Sequence, residues 1–596
     1  MPRPEDSAID PIAQPPTARN RSRRQKDGWR LAVLLLLAVG LRVLVIANTT
    51  VPSRDTIVFV RYALDLADPP PTADSQPGRF TTVLRSNEHP PGYPLTILAV
   101  ATLGGQSPRD TTPAAMGLCA QIASGIAGVS LTIPLYLFVR RIFGRNTAFA
   151  ATALFSVLPG FVDVTSDGIS DGLFWLTTAT ALWFGVRAVE ASKWRTGLRN
   201  GFGAGVCCGL GYLVRPEGGA VALAIGLTLL GLVFVIWLRG RRSLLVGRPV
   251  SSRFLAGLAL IVGWMIPTLP YMVAIDGISN KPTFRALFDR LRGREIDRTY
   301  FDRSFTRGGA SLPLAVWWGP EDAARTSKAM WATRALGSEY MKAAHYVVPV
   351  FALIGLFRLR SRSGRLPAGA GFVRLLGSIR FRPRLSDPRI WLLLVVAGVQ
   401  AAILWALALG IGYVSQRHTI IIVMITCIYA VEGFYVLSVS AIRAWQLPRL
   451  ARSPLSQRFR TASPWTLVAV WTGIVMAIAL PRNFRSLHED RAGHKAAGLW
   501  MKDNVPADWQ IVDPFGWAEW YSGRTLRKIP NPNPYVGPGL YAVFEPNAKS
   551  PHSKLGYYEM AKELASPDVI VFRFPPNVPD DQIKVAVYKS PPLKAK

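Results

Sequence analysis

Ser53-Arg54-Asp55 and Asn87-Glu88-His89-Pro90-Pro91-Gly92-Tyr93-Pro94 mark the two ends of a stretch from Pro52 to Leu98 that follows directly on an apolar run, Trp29 to Asn48. An acid, a histidine and a rigid proline pair thus stand where a membrane span gives way to water. The apolar spacing after Asp55, in Arg54-Asp55-Thr56-Ile57-Val58-Phe59-Val60-Arg61-Tyr62-Ala63, suits an amphipathic helix lying along the membrane surface with the acid turned into the protein. Asp is also a favoured helix cap, so capping and chemistry both remain open for Asp55. In the second motif, prolines on both sides of Gly92-Tyr93 fix the backbone, and Pro91 or Pro94 can open a helix at its first turn. Leu95 to Leu103 is too short to span and reads as a second interfacial helix. His89 is then either a positioned hydrogen-bonding group or the cap of something nearby.

Outward from this stretch, the chain is an integral membrane protein. Half of its 596 residues are apolar, mean hydropathy is +0.23, and several windows approach the roughly 20 apolar residues that cross a hydrocarbon layer. Besides Trp29–Asn48, spans are expected at about Thr112–Val139, Thr147–Gly160, Ile169–Val186, Leu198–Val214, Gly218–Leu238, Phe254–Ile275, His345–Phe357, Ile390–Ile411, Thr419–Ser440 and Pro464–Ala479, about eleven in all. Arg42 interrupts the first, and a charge there is expected to face protein. Trp29–Asn48 is too long for a removable signal peptide and lacks its cleavage site, so it reads as an uncleaved anchor. The four cysteines (Cys119, Cys207, Cys208, Cys427) all fall inside spans, which argues against a disulfide framework or thiolate metal site.

The net charge of +32 is distributed in short basic clusters between apolar segments: Arg140/Arg141/Arg145, Arg187/Lys193/Arg195/Arg199, Arg239–Arg253, Arg358–Arg389 and Arg443–Arg460. This is the positive-inside pattern, with none of the basic stripes or motifs of a nucleic-acid binder. It predicts a cytoplasmic N-terminus and puts Asp55, His89, Asp171, Arg215, Glu217, Arg417 and His418 together at the extracytoplasmic ends of spans. Residues 1–28 read as a disordered cytoplasmic tail, 29–480 as the membrane domain, with extracytoplasmic loops at 49–111 and 276–342, and 481–596 as a small extracytoplasmic α/β module. In that module a helix is expected at His494–Asn504 and strands at Gln510–Asp513, Val569–Phe574 and Ile583–Tyr588. It carries no nucleotide-binding loop, and a specificity or docking role is expected. The 276–342 loop is expected to form short interfacial helices or a cap over the site.

An acid after the first span followed by a His-Pro-Pro-x-Tyr-Pro turn resembles the polytopic GT-C glycosyltransferases, above all the family 39 group of protein O-mannosyltransferases and lipid A aminoarabinose transferases. Ser170-Asp171-Gly172-Leu173-Phe174, Leu213-Val214-Arg215-Pro216-Glu217-Gly218 and the late Arg417-His418 match further motifs of that group, in order along the chain. Thr56 departs from it, standing where the second acid of an Asp-Glu pair is common. The resemblance implies transfer of a sugar from a polyprenyl-phosphate-linked donor, entering from the membrane lipids, to a glycan, lipid or protein acceptor at the extracytoplasmic face; the lack of disulfides and of retention signals in the sequence fits a bacterial inner membrane. Asp55 is the candidate base of an inverting displacement. Arg417 and His418 suit the donor phosphate. His89 with Glu88 and Tyr93, Asp171 with Asp167, and Arg215 with Glu217 are the candidate substrate-binding groups, although for Arg215 and Glu217 the favoured reading is that they pair and hold their turn. Asp163, Asp167 and Asp171 recur every four residues, but the glycines around them favour a solvated loop, so no metal or other cofactor is expected. A transporter or lipid-linked-sugar flippase is the alternative; it would more often show inverted repeats and charges at mid-depth.

Overall fold

The structure is a computed structural model and describes residues 18–69, 79–108, 110–239, 250–281, 315–317, 320–356, 358–359, 381–382, 387–445, 463–524, 539–547 and 558–590. The expected tail falls outside the described residues up to 17; from there α1 (Ala18–Ala47) is already helical, so the end of the expected tail is continuous with the first span. Most of the 276–342 loop and of the Arg358–Arg389 run likewise lies outside the described residues.

All eleven expected spans coincide with helices. Among the described residues, however, eight helices are long and apolar enough to cross a membrane, or nine if one bent pair counts as a single span. The difference has three local causes. The segment expected at 147–160 is split into α7 (Arg145–Val157) and α8 (Pro159–Ser166), bent by 62°, where Pro159 has no N–H to continue the first helix. α10 (Trp194–Val214) is 21 residues long but diluted by Arg195, Arg199, Asn200 and its glycines. The helix Val347–Leu356 has only ten residues. By contrast α5 (Pro113–Ser130) and α6 (Thr132–Phe143) join into one crossing.

Packing follows membrane rules. On α10, Gly197, Gly201, Gly205 and Gly209 fall every four residues, and a Cβ on each would strike Ser252, Ala256, Leu260 and Pro267 of α12 (Val250–Ile275). Small residues on one helix face let two backbones close where no hydrophobic effect drives them together. Faces left open among the described residues carry Leu36, Val39 and Val43 on α1 and Leu227, Leu230 and Phe234 on α11 (Gly218–Arg239), all exposed, as expected of surface that meets lipid. Arg42 is buried and faces protein: its Nε donates to Thr165 Oγ1 at 3.1 Å, its Nη1 to Ser156 O at 3.2 Å, and the guanidinium lies 4.6 Å from the Phe161 ring centroid.

The charged groups collect at the two ends of the bundle. At one end, Asp27 pairs with Arg140 and Arg145 at 3.0 Å each, Glu190 pairs with Arg141 and with Arg389 at 3.2 Å, and Arg389 pairs with Asp387 at 2.6 Å. The other end carries the Pro52–Leu98 stretch, folded into three short helices rather than two: α2 (Arg54–Ala67), α3 (Arg79–Ser86) and α4 (Gly92–Leu103). The strand Ala315–Trp317 pairs antiparallel with Tyr413–Ser415 at this end, so the 276–342 loop is tied by its backbone to the segment just before Arg417. The helix Lys328–Ala343 covers the same segment, with Trp331, Ala332 and Ala335 packed on Ala408 and Val414.

The C-terminal region is a helix, Ala492–Asn504, on a four-stranded sheet in the order Gln510–Val512, Leu540–Phe544, Val585–Ser590, Ile570–Phe574, the first pair parallel and the others antiparallel. Leu540–Phe544, fully buried, is the strand sequence reading missed. It is a continuous apolar run, without the alternation by which half-buried strands announce themselves. The module seats directly on the start of the Pro52–Leu98 stretch: Trp517 Nε1 donates to Pro52 O at 2.8 Å, Lys495 Nζ to Thr50 O at 3.1 Å, and Arg61 pairs with Glu519 at 3.5 Å.

Candidate active site

Helix α2 is opened by Ser53, whose hydroxyl accepts from Thr56 N at 3.3 Å. The capping role open to Asp55 therefore belongs to its neighbour. Asp55, in the first turn, is released to point elsewhere, and its Oδ2 accepts from Arg417 Nη1 at 2.6 Å. Both side chains are largely buried. Burial pushes the Asp55 carboxyl up, but the Arg417 guanidinium outweighs it, with His89 and Arg215 adding to the pull, and the net is a value below the usual carboxylate range. Asp55 is thus ionised. Arg417 Nε is buried with no partner in the protein, leaving part of its donor fork free.

A second set of charges lies beside this pair. Arg215 Nη1 bonds Asp171 Oδ1 at 2.6 Å, Arg215 Nη2 lies 3.5 Å from Glu217 Oε1, and Lys281 Nζ reaches the same Glu217 oxygen at 2.6 Å. Burial would raise Glu217, but Lys281 and Arg215 together draw it well below the carboxylate range. Asp171 Oδ2 and Glu217 Oε2 are buried without a hydrogen bond. The His89 turn abuts this set because Gly92 packs on the backbone of the 213–214 segment: a Cβ there would come within 2.6 Å of Leu213 O. Burial, with Lys281 and Arg215 opposing positive charge, lowers His89 to about 4, so the imidazole is neutral at neutral pH. Its ring packs, tilted by 48° and with centroids 4.8 Å apart, against Phe59 of α2, one turn beyond Asp55.

The structure therefore brings together Asp55, His89, Asp171, Arg215, Glu217 and Arg417. The ability of Arg215 and Glu217 to pair and hold their turn is realised, with Asp171 as the stronger partner. Four candidates stand otherwise. The Tyr93 hydroxyl is spent on Ala120 O at 2.8 Å, fully inside the protein. Glu88 sits in the turn before Pro90. Both carboxylate oxygens of Asp167 are engaged, Oδ1 by Ser53 N and Oδ2 by His488 Nε2, each at 2.9 Å. His418 packs edge-on to Tyr413 with ring centroids 5.5 Å apart, and its Nδ1 is buried without a partner. Among the described residues no group of three or more His, Cys, Asp or Glu has the arrangement of a metal site. Two residues that contact this cluster or its candidates had no signal in the sequence. Lys281 is one cation in a long mixed loop, and His488 stands more than 300 residues from the acid it meets.

Buried, balanced ion pairs thus collect at one end of the span bundle, and part of the chain that carries them matches a known family. More particularly, residues 88–270, from the His-Pro-Pro turn to α12, match the family of dolichyl-phosphate-mannose-protein mannosyltransferases. Among solved structures, the fold is similar to ArnT from Cupriavidus metallidurans bound to undecaprenyl phosphate, at 12% identity and TM-score 0.47 over 94% of this chain and 98% of that one. It is also similar to the archaeal oligosaccharyltransferase AglB from Archaeoglobus fulgidus in complex with an inhibitory peptide and a dolichol-phosphate, at 14% identity and TM-score 0.48. That match covers 85% of this chain but spans 64% of the length of the archaeal enzyme. No curated protein sequence matches the chain.

Proposed function

We propose that this protein transfers a sugar from a polyprenyl-phosphate-linked donor to an acceptor hydroxyl, with inversion, at the extracytoplasmic face of a bacterial inner membrane. In this reading the N-terminus is cytoplasmic and the C-terminal module lies on the side of the site. The observation that carries it is the buried, ionised Asp55 carboxylate held 2.6 Å from a guanidinium that keeps a free donor edge. A base and a phosphate-binding cation in contact are the two groups the reaction needs. The family matched over residues 88–270 is named for a lipid-phosphate-linked sugar, which supports the donor class.

Asp55 takes the proton of the acceptor hydroxyl as its oxygen bonds the anomeric carbon. The bond from that carbon to the phosphate oxygen breaks on the opposite face, and its electron pair leaves with the phosphate. Arg417 exchanges the Asp55 carboxylate for the departing phosphate, which frees the base as charge builds on the leaving group. Lys281 and Arg215 hold the surrounding potential positive, while Asp171 and Glu217 keep them in place.

Asp55→Asn keeps the size and the hydrogen bond but removes the base. In membranes charged with metabolically radiolabelled lipid-linked sugars, the variant is expected to accumulate normally and to lose transfer. Transfer at the wild-type rate would remove Asp55 from the reaction.

A further inference from the structure

We infer that His488 and Asp167 form a positioning pair that sets the start of helix α2 and thereby aims Asp55. The inference rests on the reading of Asp55 as the base. His488 comes from the segment that follows the last span, outside the region of family likeness. Its Nε2 meets Asp167 Oδ2 at 2.9 Å, while the other oxygen of the same carboxylate takes the Ser53 N–H at 2.9 Å. The backbone carbonyl of Asp167 accepts from Thr56 Oγ1 at 2.5 Å, and Thr56 Oγ1 is itself 2.9 Å from the Ser53 hydroxyl. Residues 53 and 56, on either side of Asp55, are thus both fixed to one residue of the turn between α8 and the helix Asp171–Glu190.

Three further features point the same way. His488 has φ 54° and ψ 34°, a left-handed conformation that a β-carbon disfavours and that persists only where the surroundings over-determine it. The turn it meets is equally constrained: Gly168 has φ +74°, and a Cβ on it would come within 2.9 Å of Thr56 Cγ2. The chain on either side of the contact is stitched as well, with Thr50 N donating to Leu487 O at 3.1 Å, Ser486 Oγ to Asn48 O at 2.6 Å, and Lys495 Nζ to Thr50 O at 3.1 Å. Position and angle at the first turn of α2 are therefore set from both sides. A carboxylate that spends both oxygens inside the protein is a strut, and Asp167 acts on the acceptor only through Asp55.

A strut and a substrate contact differ in what their loss does. Misplacing a base by a fraction of an ångström leaves binding intact and slows chemistry. His488→Ala is expected to lower kcat for release of radiolabelled sugar from the membrane lipid-linked pool by about 10- to 100-fold, with KM for that pool unchanged. His488→Gln, whose amide still reaches Asp167, should restore most of the rate, whereas His488→Asn, too short to reach, should not; this second pair carries the test if His488→Ala fails to accumulate. An unchanged kcat in both His488→Ala and His488→Asn, or a change confined to KM, overturns the inference so long as Asp55→Asn is inactive. Activity in Asp55→Asn overturns the base reading itself, and the positioning role with it.

Discussion

The two ends of the span bundle use the same arginine–carboxylate chemistry and differ in what surrounds it. At the end with Asp27 and Glu190, the arginines stay in contact with solvent: Arg141 and Arg140 keep 46% and 38% of their side-chain surface exposed. At the other end Arg215 keeps 10% and Asp171 3%. Exposed pairs are screened and contribute about 0–1 kcal/mol each. A buried pair has lost its water, so removing one partner strands the other and costs about 3–5 kcal/mol. An interior of paired charges is a poor way to gain stability compared with apolar packing. It is retained at the end where a polar reaction would need preorganised charge, while the far end works as a surface.

Substitutions at matched positions can break that contrast. The largest effect is expected from Asp55→Asn, a loss of about 10²- to 10⁴-fold in transfer, the usual contribution of a general base. Next is Arg215→Leu, which strands Asp171 and leaves Glu217 to Lys281 alone. It should lower stability in detergent by about 3–5 kcal/mol, read by thermal unfolding; a fall under about 1 kcal/mol would put this end in the same class as the other.

The pH dependence should be gentler. His89 stands at about 4 in the folded protein against 6.5 ordinarily, so folding favours its neutral form. Its contribution is fully present above pH 6.5 and is lost as pH falls toward 4, because the unfolded chain takes up a proton that the folded one does not. Wild-type protein should lose thermal stability between pH 7 and 5 more steeply than His89→Gln, and equal slopes would contradict the assignment. The smallest effect is expected from Arg141→Ala at the far end, within about 1 kcal/mol and smaller still at high salt; a larger loss would mean that Glu190 depends on it.

The membrane class, the place of every span and five of the charged motifs were legible in the sequence because each rests on local pattern: apolar length, basic loops, and proline-fixed turns. The number of full crossings was less legible, since the bend at Pro159 and the dilution of α10 show only when hydropathy is set against helix geometry. Of the site, Asp55, His89, Asp171, Arg215, Glu217 and Arg417 could be named in advance, because they stand in short motifs at the ends of spans. Lys281 and His488 could not. Neither has a neighbour in sequence that marks it, and each acquires its meaning from a carboxylate far away in the chain.

The sequence by itself determined what kind of molecule this is and which polar groups stand at the ends of its spans, since the partition of apolar and charged residues between lipid and water is a one-dimensional property. Only the tertiary structure decided the partners. Ser53 rather than Asp55 caps α2, Asp55 faces Arg417 across 362 residues, and Asp167 is consumed in holding the helix that carries Asp55. Those outcomes depend on the approach of backbones at Gly92 and Gly168 and on the docking of the C-terminal segment, contacts for which a linear pattern has no term.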